Sequence, residues 1–358
     1  MPIKHFREKM TAAGYDAFII TQPENRRYLS GFTGSAGALF ITADRQFLLT
    51  DSRYYEQVAR EAPDWELIKA SYRTAENLAS LLETLGMTAA TIAFEADHFT
   101  VAQFETWQST LPDTVTLKAT TGFTGELRAV KTPAELAAIK RAQAVADAAM
   151  AHLFDWIQPG VTERDMAWEM EVYMRTHGAT ALSFDTIVAT RANSALPHAT
   201  PGDAVIGLGD VVLVDMGCVV DGYCSDMTRT FSLGEPSNPR YHEIWQIVKK
   251  AMDAAQNGIR AGITSRAADA LARDVIAAAG YGDNFGHSLG HGVGLAVHEM
   301  PPVSYARDTV LQAGMVITIE PGIYLPGEFG VRLENMAVIT ENGVEILTRS
   351  ALPVVLPR

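Results

Sequence analysis

The chain has 358 residues, of which 47% are hydrophobic and 20% charged, with a formal net charge of −13. That length suits about two domains, and the acidic balance excludes the basic faces that nucleic acids and anionic membrane surfaces select. Met1–Asp16 is polar and basic, and no apolar run approaches the ~20 residues that span a bilayer, so a cytoplasmic location is expected. Cys218 and Cys224 are expected as reduced, partly buried thiols, as is usual in that compartment.

Residues 1–125 alternate short apolar runs with helical stretches. Ala17–Thr21, Ala38–Thr42, Gln46–Thr50 and Thr91–Phe94 read as strands, and Ser52–Glu61, Ala75–Leu85 and Val101–Ser109 as helices. This predicts an N-terminal α/β domain. The glycine-rich stretch Gly31–Gly37 is not followed by Lys-Ser/Thr, so it reads as a tight turn rather than a phosphate loop. Thr132-Pro133-Ala134-Glu135 is a helix start. Thr132 can cap, Pro133 suits the first helical position, and Glu135 can close a capping box. That helix should run to about Ile157 inside a second domain, 126–358.

The second domain contains an internal echo. Ile157-Gln158-Pro159-Gly160-Val161-Thr162 ends one helix and caps the next, which runs to about His177. Ile259-Arg260-Ala261-Gly262-Ile263-Thr264 does the same before a helix ending near Gly280. Apolar strands follow each pair. The pattern predicts a duplicated α/β unit with pseudo-twofold symmetry, and a site between the halves would draw ligands from both.

Val211–Cys218 reads as a buried strand, Asp221-Gly222 as a hairpin turn, and Tyr223–Phe231 as the returning strand. A two-residue turn pairs Val220 with Tyr223 and Gly217 with Asp226. Asp215 and Asp226 then become diagonal neighbours on one face. Two carboxylates pressed together in an apolar hairpin stay anionic only around a cation.

Three of the chain's histidines, His287, His291 and His298, fall in one glycine-rich run, where backbone and ligand can approach closely. Glu320 ends the β-branched run Ile317–Ile319. Glu334 is read within a strand, beside Val331 and Leu333. Four carboxylates and one imidazole form an oxygen-rich donor set. It suits Mn²⁺, Fe²⁺ or Co²⁺, with Zn²⁺ compatible, and four negative charges balance two divalent ions.

Asp215-Met-Gly, Asp221-Gly-Tyr-Cys-Ser-Asp226-Met-Thr-Arg-Thr, Gly290-His291-Gly-Val-Gly-Leu-Ala-Val-His298-Glu299, Ile319-Glu320-Pro-Gly and Arg332-Leu-Glu334 together resemble the proline-peptidase branch of the pita-bread metallopeptidases. That branch includes aminopeptidase P and prolidase. Tyr28–Gly37 and Thr50–Tyr54 resemble the same family's creatinase/prolidase-like N-terminal domain. The resemblance implies two divalent ions, most often Mn²⁺, held by Asp215, Asp226, His291, Glu320 and Glu334, with Glu320 as general base. It implies that His198 binds substrate and shuttles protons, and that His298 hydrogen-bonds the tetrahedral species. His287 and Arg332 would line the proline side, with Tyr324 behind them.

The implied substrate is a peptide with proline at its second position, and the implied assembly is a homodimer. Xaa-Pro aminopeptidase is the leading expectation, because the Gly31–Gly37 loop looks more like aminopeptidase P. Prolidase, restricted to Xaa-Pro dipeptides, is the alternative. Methionine aminopeptidase is disfavoured by the N-terminal domain. A metal-free amidinohydrolase or a binding module on the same fold is disfavoured by the complete ligand set. One departure is the run Ala189-Thr190-Arg191-Ala192-Asn193, where the family often carries glycine. An arginine there can reshape the loop before His198 or reach across a subunit interface.

Overall fold

The computed structural model describes residues 2–70 and 74–357, divided into two compact units, Met1–Arg128 and Ala129–Arg358. Among the described residues no helix is long and apolar enough to cross a membrane.

The first unit is built on strands β1 (Ala17–Ile20), β2 (Ala38–Thr42), β3 (Gln46–Thr50), β4 (Glu66–Lys69), β5 (Thr91–Glu95) and β6 (Thr116–Thr120), in the order β4-β3-β2-β1-β5-β6. Helices α1 (Pro2–Ala12), α2 (Pro23–Ser30) and α3 (Tyr55–Glu61) cover one face through Phe6, Met10, Leu29 and Val58. Helices α4 (Thr74–Leu85) and α5 (Val101–Thr110) cover the other through Leu78, Leu82 and Trp107. With both faces covered, β1 and β2 are buried at every position, which is why they read as continuous apolar runs. The edge strands β4 and β6 carry Glu66, Lys69, Lys118 and two threonines, so their pattern did not announce them. Gly31 closes α2 at φ 79°, and the loop after it wraps the buried Arg26, whose guanidinium donates to the carbonyls of Gly34 and Gly37. The glycine-rich stretch is thus a tight turn around an internal cation.

The short helix α6 (Gly125–Ala129) spans the division. In the second unit, α7 (Pro133–Trp156) begins with the expected capping box. Thr132 Oγ1 accepts from the Glu135 N–H at 3.3 Å, and the Glu135 carboxylate accepts from the Thr132 N–H at 2.8 Å. Helix α8 (Glu163–Thr176) follows, then strands β7 (Ala181–Leu182), β8 (Ile187–Thr190), β9 (Val211–Met216), β10 (Cys218–Val220), β11 (Tyr223–Cys224) and β12 (Met227–Leu233). The second half repeats the plan with α9 (Tyr241–Gly258) and α10 (Ser265–Ala278). Its strands are β13 (Gly290–Gly292), β14 (Glu299–Val303), β15 (Val316–Ile319), β16 (Gly322–Leu325), β17 (Phe329–Arg332) and β18 (Asn335–Ile339), then β19 (Val344–Ile346) and β20 (Val355–Leu356).

The internal echo is repeated in the hydrogen bonds. Gly160 N–H donates to Ile206 O at 2.9 Å, and Gly262 N–H to Leu311 O at 2.8 Å. Ile206 N–H returns to Val161 O at 2.8 Å, and Leu311 N–H to Ile263 O at 2.9 Å. The bridges Thr162↔Val205 and Thr264↔Val310 match as well. Both glycines adopt positive φ, 103° and 90°, so the link turns the same way twice. Each half has its own core: α7 and α8 pack on β9 and β12, while α9 and α10 pack on β15, β17 and β18. This is the pseudo-twofold α/β architecture that the repeat predicts.

Candidate metal centre

The hairpin register is the one expected. Val220 pairs with Tyr223 across a turn in which Asp221 and Gly222 have φ of 52° and 81°, both positive as a type I′ turn requires. The same register continues into β9 and β12, where Met216 faces Met227 and Asp215 faces Thr228. Asp226 therefore lies diagonal to Asp215. The returning strand is not continuous, however. It breaks at Ser225-Asp226, where Ser225 Oγ takes the Cys218 N–H at 2.9 Å. Gly217 permits this crossing, because a Cβ there would stand 2.0 Å from the Ser225 carbonyl oxygen.

Interruptions of this kind carry the other acids too. Glu320 follows the last residue of β15, its N–H bound to Leu289 O at 2.8 Å. Glu334 lies in the gap between β17 and β18, its N–H bound to Thr228 O at 3.1 Å, rather than within a strand as its apolar neighbours suggested. His291 sits in β13 where the pairing with β14 shifts register. A side chain at a break is freed from the strict alternation of the sheet and can turn toward a common point.

The five residues line one cavity of about 600 Å³, a volume in the range of small-molecule sites. Ligand atoms of Asp226, His291 and Glu334 lie within 4.8 Å of one another. His291 Nε2 is 3.6 Å from Asp226 Oδ2 and 3.3 Å from Glu320 Oε1. Its Nδ1 donates to Gly292 O at 3.2 Å, which leaves Nε2, the nitrogen facing the carboxylates, as the atom that would act as a ligand. Asp215 stands one step aside: Arg332 Nη2 donates to its Oδ2 at 2.6 Å, and its buried Oδ1 has no partner among the described residues.

Burial drives the Asp226 carboxyl well above the ordinary range, with Glu334 and Asp215 adding repulsion. Burial raises Glu334 likewise, helped by Glu320 and Asp215. Burial also raises Asp215, opposed by the Arg332 guanidinium. Glu320 differs: burial would raise it, but the hydrogen bond and charge of His291 hold it at about 2. Three acids that resist ionisation, an unpartnered buried oxygen and an imidazole nitrogen facing two carboxylates form a donor set that fits divalent cations.

The remaining predicted residues divide into two groups. His198 and His298 line the cavity and are exposed, with the His298 ring 4.3 Å from that of His291. Partial desolvation, and then the neighbouring His291, lower the His298 pKa. His287, Tyr324 and Arg332 form a directed chain. His287 Nδ1–H donates to Ser288 O at 2.8 Å, which leaves Nε2 to accept from Tyr324 O–H at 2.9 Å. Tyr324 O accepts from Arg332 Nη1 at 2.8 Å. Burial lowers the His287 pKa and pushes the Tyr324 phenol up to about 12, so both stay neutral. Tyr324 does not line the cavity; it reaches the site only through its two partners.

Several supports carried no readable signal. Thr318 Oγ1 donates to Glu320 Oε1 at 3.0 Å and accepts from His291 N–H at 3.1 Å. Thr228 Oγ1 donates to Glu334 Oε2 at 2.7 Å and accepts from Arg332 Nε at 3.1 Å. Glu163, fully buried, gathers the N–H groups of Thr190 and Gly202 and the Asn193 amide, at 2.8, 3.0 and 3.0 Å, and so fastens the loop before His198. Arg191 in that loop has a φ of 50°, the region glycine favours, and its guanidinium binds Val205 O at 2.8 Å and faces Asp210 at 3.6 Å. These local partners account for the arginine.

Residues 137–341 match metallopeptidase family M24, and residues 2–130 match the creatinase/prolidase N-terminal domain. The chain is 36% identical to an Xaa-Pro dipeptidase of Pyrococcus furiosus, over 94% of each chain. It superposes on an Xaa-Pro dipeptidase from Bacillus anthracis with a TM-score of 0.94 at 40% identity, covering 99% of both chains. It superposes on an X-Pro aminopeptidase from Thermotoga maritima with a TM-score of 0.87 at 37% identity, covering 97% of this chain and 99% of that one. The chain belongs to metallopeptidase family M24, with a creatinase/prolidase N-terminal domain ahead of its peptidase domain.

Proposed function

We propose that this enzyme is an Xaa-Pro aminopeptidase, releasing the N-terminal residue of peptides with proline second. The observation that carries the choice is the charge inventory of the cavity. Among the described residues lining it, Arg332 is the sole Arg or Lys, and its guanidinium is held by Asp215, Tyr324 and Thr228. The carboxylate that ends an Xaa-Pro dipeptide would find no uncommitted arginine or lysine there. A substrate continuing past proline brings a neutral amide instead. The dipeptidase reading is kept as a second one, because relatives at 36% and 40% identity carry that name.

Asp215, Asp226, His291, Glu320 and Glu334 would hold two divalent ions, for which Mn²⁺ is our first choice and Co²⁺, Fe²⁺ and Zn²⁺ are compatible. Bound there, the ions supply Lewis-acid polarisation of the scissile carbonyl and a water acidic enough to attack near neutral pH. Glu320 Oε1 takes a proton from the attacking water and passes it toward the proline nitrogen as the bond breaks. When His291 Nε2 serves as a ligand it carries no proton, and the contact that holds Glu320 at about 2 is removed. His298, its pKa lowered, stays neutral and can donate to the developing oxyanion. His198, which lines the cavity, binds the substrate and shuttles protons, while His287 and Arg332 order the proline side, with Tyr324 linking them.

We take the peptidase domain as 126–358 and the N-terminal domain as 1–125. Cys218 and Cys224 are buried and form no disulfide with each other, which supports a reducing, cytoplasmic setting. The family resemblance supports a homodimer, which sedimentation as a monomer would contradict. The test of the activity is hydrolysis of Ala-Pro against Ala-Pro-Ala with added Mn²⁺, Co²⁺ or Zn²⁺. Strict preference for the dipeptide overturns the aminopeptidase reading in favour of prolidase.

A further inference from the structure

The cavity holds one charged group that neither ion binding nor the mechanism uses. Asp185 lies in the loop between β7 and β8, lines the cavity and is exposed. Its neighbours Phe184, Thr186 and Ile187 line the cavity too. The strand that follows the loop fixes its location, because Ile187 pairs with Asp215. Asp185 therefore stands two residues along the chain from the sheet position facing Asp215.

The other carboxylates of the cavity, Asp215, Asp226, Glu320 and Glu334, are the proposed ion ligands. Asp215 is held by Arg332, Glu334 by Thr228, Glu320 by Thr318, and Asp226 faces His291. Asp185 makes no hydrogen bond or ion pair among the described residues. The cavity's single arginine is committed elsewhere. The uncommitted charge offered to a substrate is therefore negative, and the apolar side chains of Phe184 and Ile187 line the same cavity.

An aliphatic stem ending in a cation matches that pairing. The stem packs against apolar side chains while its head remains at the wet rim beside the carboxylate. From this juxtaposition we infer that Asp185 is a specificity-determining residue that selects a Lys or Arg side chain at the position before proline. The inference rests on the Xaa-Pro reading above and adds the substrate class to it. An acidic side chain at the same position meets repulsion from Asp185. Because the carboxylate is exposed, its effect is that of a solvent-screened pair, worth several-fold in rate rather than orders of magnitude.

The experiment compares kcat/KM for Lys-Pro-Ala, norleucine-Pro-Ala and Glu-Pro-Ala in the wild-type enzyme, Asp185→Asn and Asp185→Lys, all loaded with Mn²⁺. The wild type should favour Lys over Glu. Asp185→Asn should shrink the Lys-to-Glu ratio by about 5-fold, and Asp185→Lys should invert it. The effect should weaken at high salt. A ratio unchanged in both variants overturns the assignment. So does an equal loss on all three peptides, which would make Asp185 an anchor for the α-ammonium group they share. A wild type that cleaves none of the three refutes the Xaa-Pro aminopeptidase reading on which the inference rests, an outcome that no behaviour of the variants can imitate.

Discussion

Arg332 Nη2 lies 2.6 Å from Asp215 Oδ2, while the buried Oδ1 of the same carboxylate has no partner among the described residues. The guanidinium holds one oxygen and leaves the other uncommitted. Its other nitrogens reach Tyr324, Thr228 and Pro197 O, so one planar group ties Asp215 to the support of Glu334 and to the loop carrying His198. Lysine has a single point of attachment and cannot reproduce that fork. Arg332→Lys should lower kcat/KM by about 10- to 100-fold while the chain still folds, because one charged contact of several survives. Kinetics with circular dichroism on the same preparation check this; near wild-type turnover would show that the fork is dispensable.

The raised carboxyls set a pH dependence for the ion-free protein. Asp226 and Glu334 have folded-state pKa values well above the ordinary range. The folded chain then binds more protons than the unfolded chain, so this contribution is favourable below the ordinary carboxylate pKa of about 4 and is lost as pH rises through the folded values. Chelator-treated protein should melt at a lower temperature at about pH 8 than at about pH 5, and excess Mn²⁺ should raise the melting point most at the higher pH. An ion-free protein that gains stability across that interval would contradict the prediction.

Thr318 is a buried hydroxyl between a proposed base and a proposed ligand. Thr318→Val keeps the shape but takes the acceptor from the His291 N–H and one donor from the Glu320 carboxylate. The expected cost is about 1–3 kcal/mol of stability, read by denaturant unfolding, with reduced turnover at saturating Mn²⁺. Loss of stability with turnover intact would confine Thr318 to a packing role.

Gly217 marks the crossing that brings Asp226 beside Asp215. An added Cβ would sit 2.0 Å from the Ser225 carbonyl oxygen, a backbone atom that cannot swing aside. Gly217→Ala should destabilise the fold by about 3 kcal/mol or more and weaken Mn²⁺ binding. Thermal melts and ion titration test both, and a variant with wild-type values would mean that the hairpin relaxes freely.

What could be read beforehand follows from how local each signal is. The register of Asp215 and Asp226 depends on a two-residue turn and side-chain alternation, both written in consecutive residues. The linked helix pairs were visible because Gly160 and Gly262 each stand before a β-branched residue and a capping threonine. Helix α2 was missed because Pro23–Ser30 is dominated by polar residues, and Asn25 and Arg26 are nonetheless buried. The Glu163 clamp and the Arg332 fork join residues far apart in the chain, and nothing in the local sequence of Glu163 distinguishes it from an ordinary helix-start acid. Glu334 lines the cavity with the other four but lies between two strands, not in a strand interior as read. Its apolar neighbours are shared by a strand and by the break between two strands.

The central claim is that these five side chains hold catalytic divalent ions. Its most direct test is a titration of chelator-treated protein with Mn²⁺, following bound metal and Ala-Pro-Ala hydrolysis on the same samples, beside Glu320→Gln. Binding should approach two ions per chain, activity should rise with occupancy, and Glu320→Gln should stay folded but turn over at least ~100-fold more slowly. Full hydrolysis by the ion-free protein, or wild-type rates in Glu320→Gln, would contradict the claim.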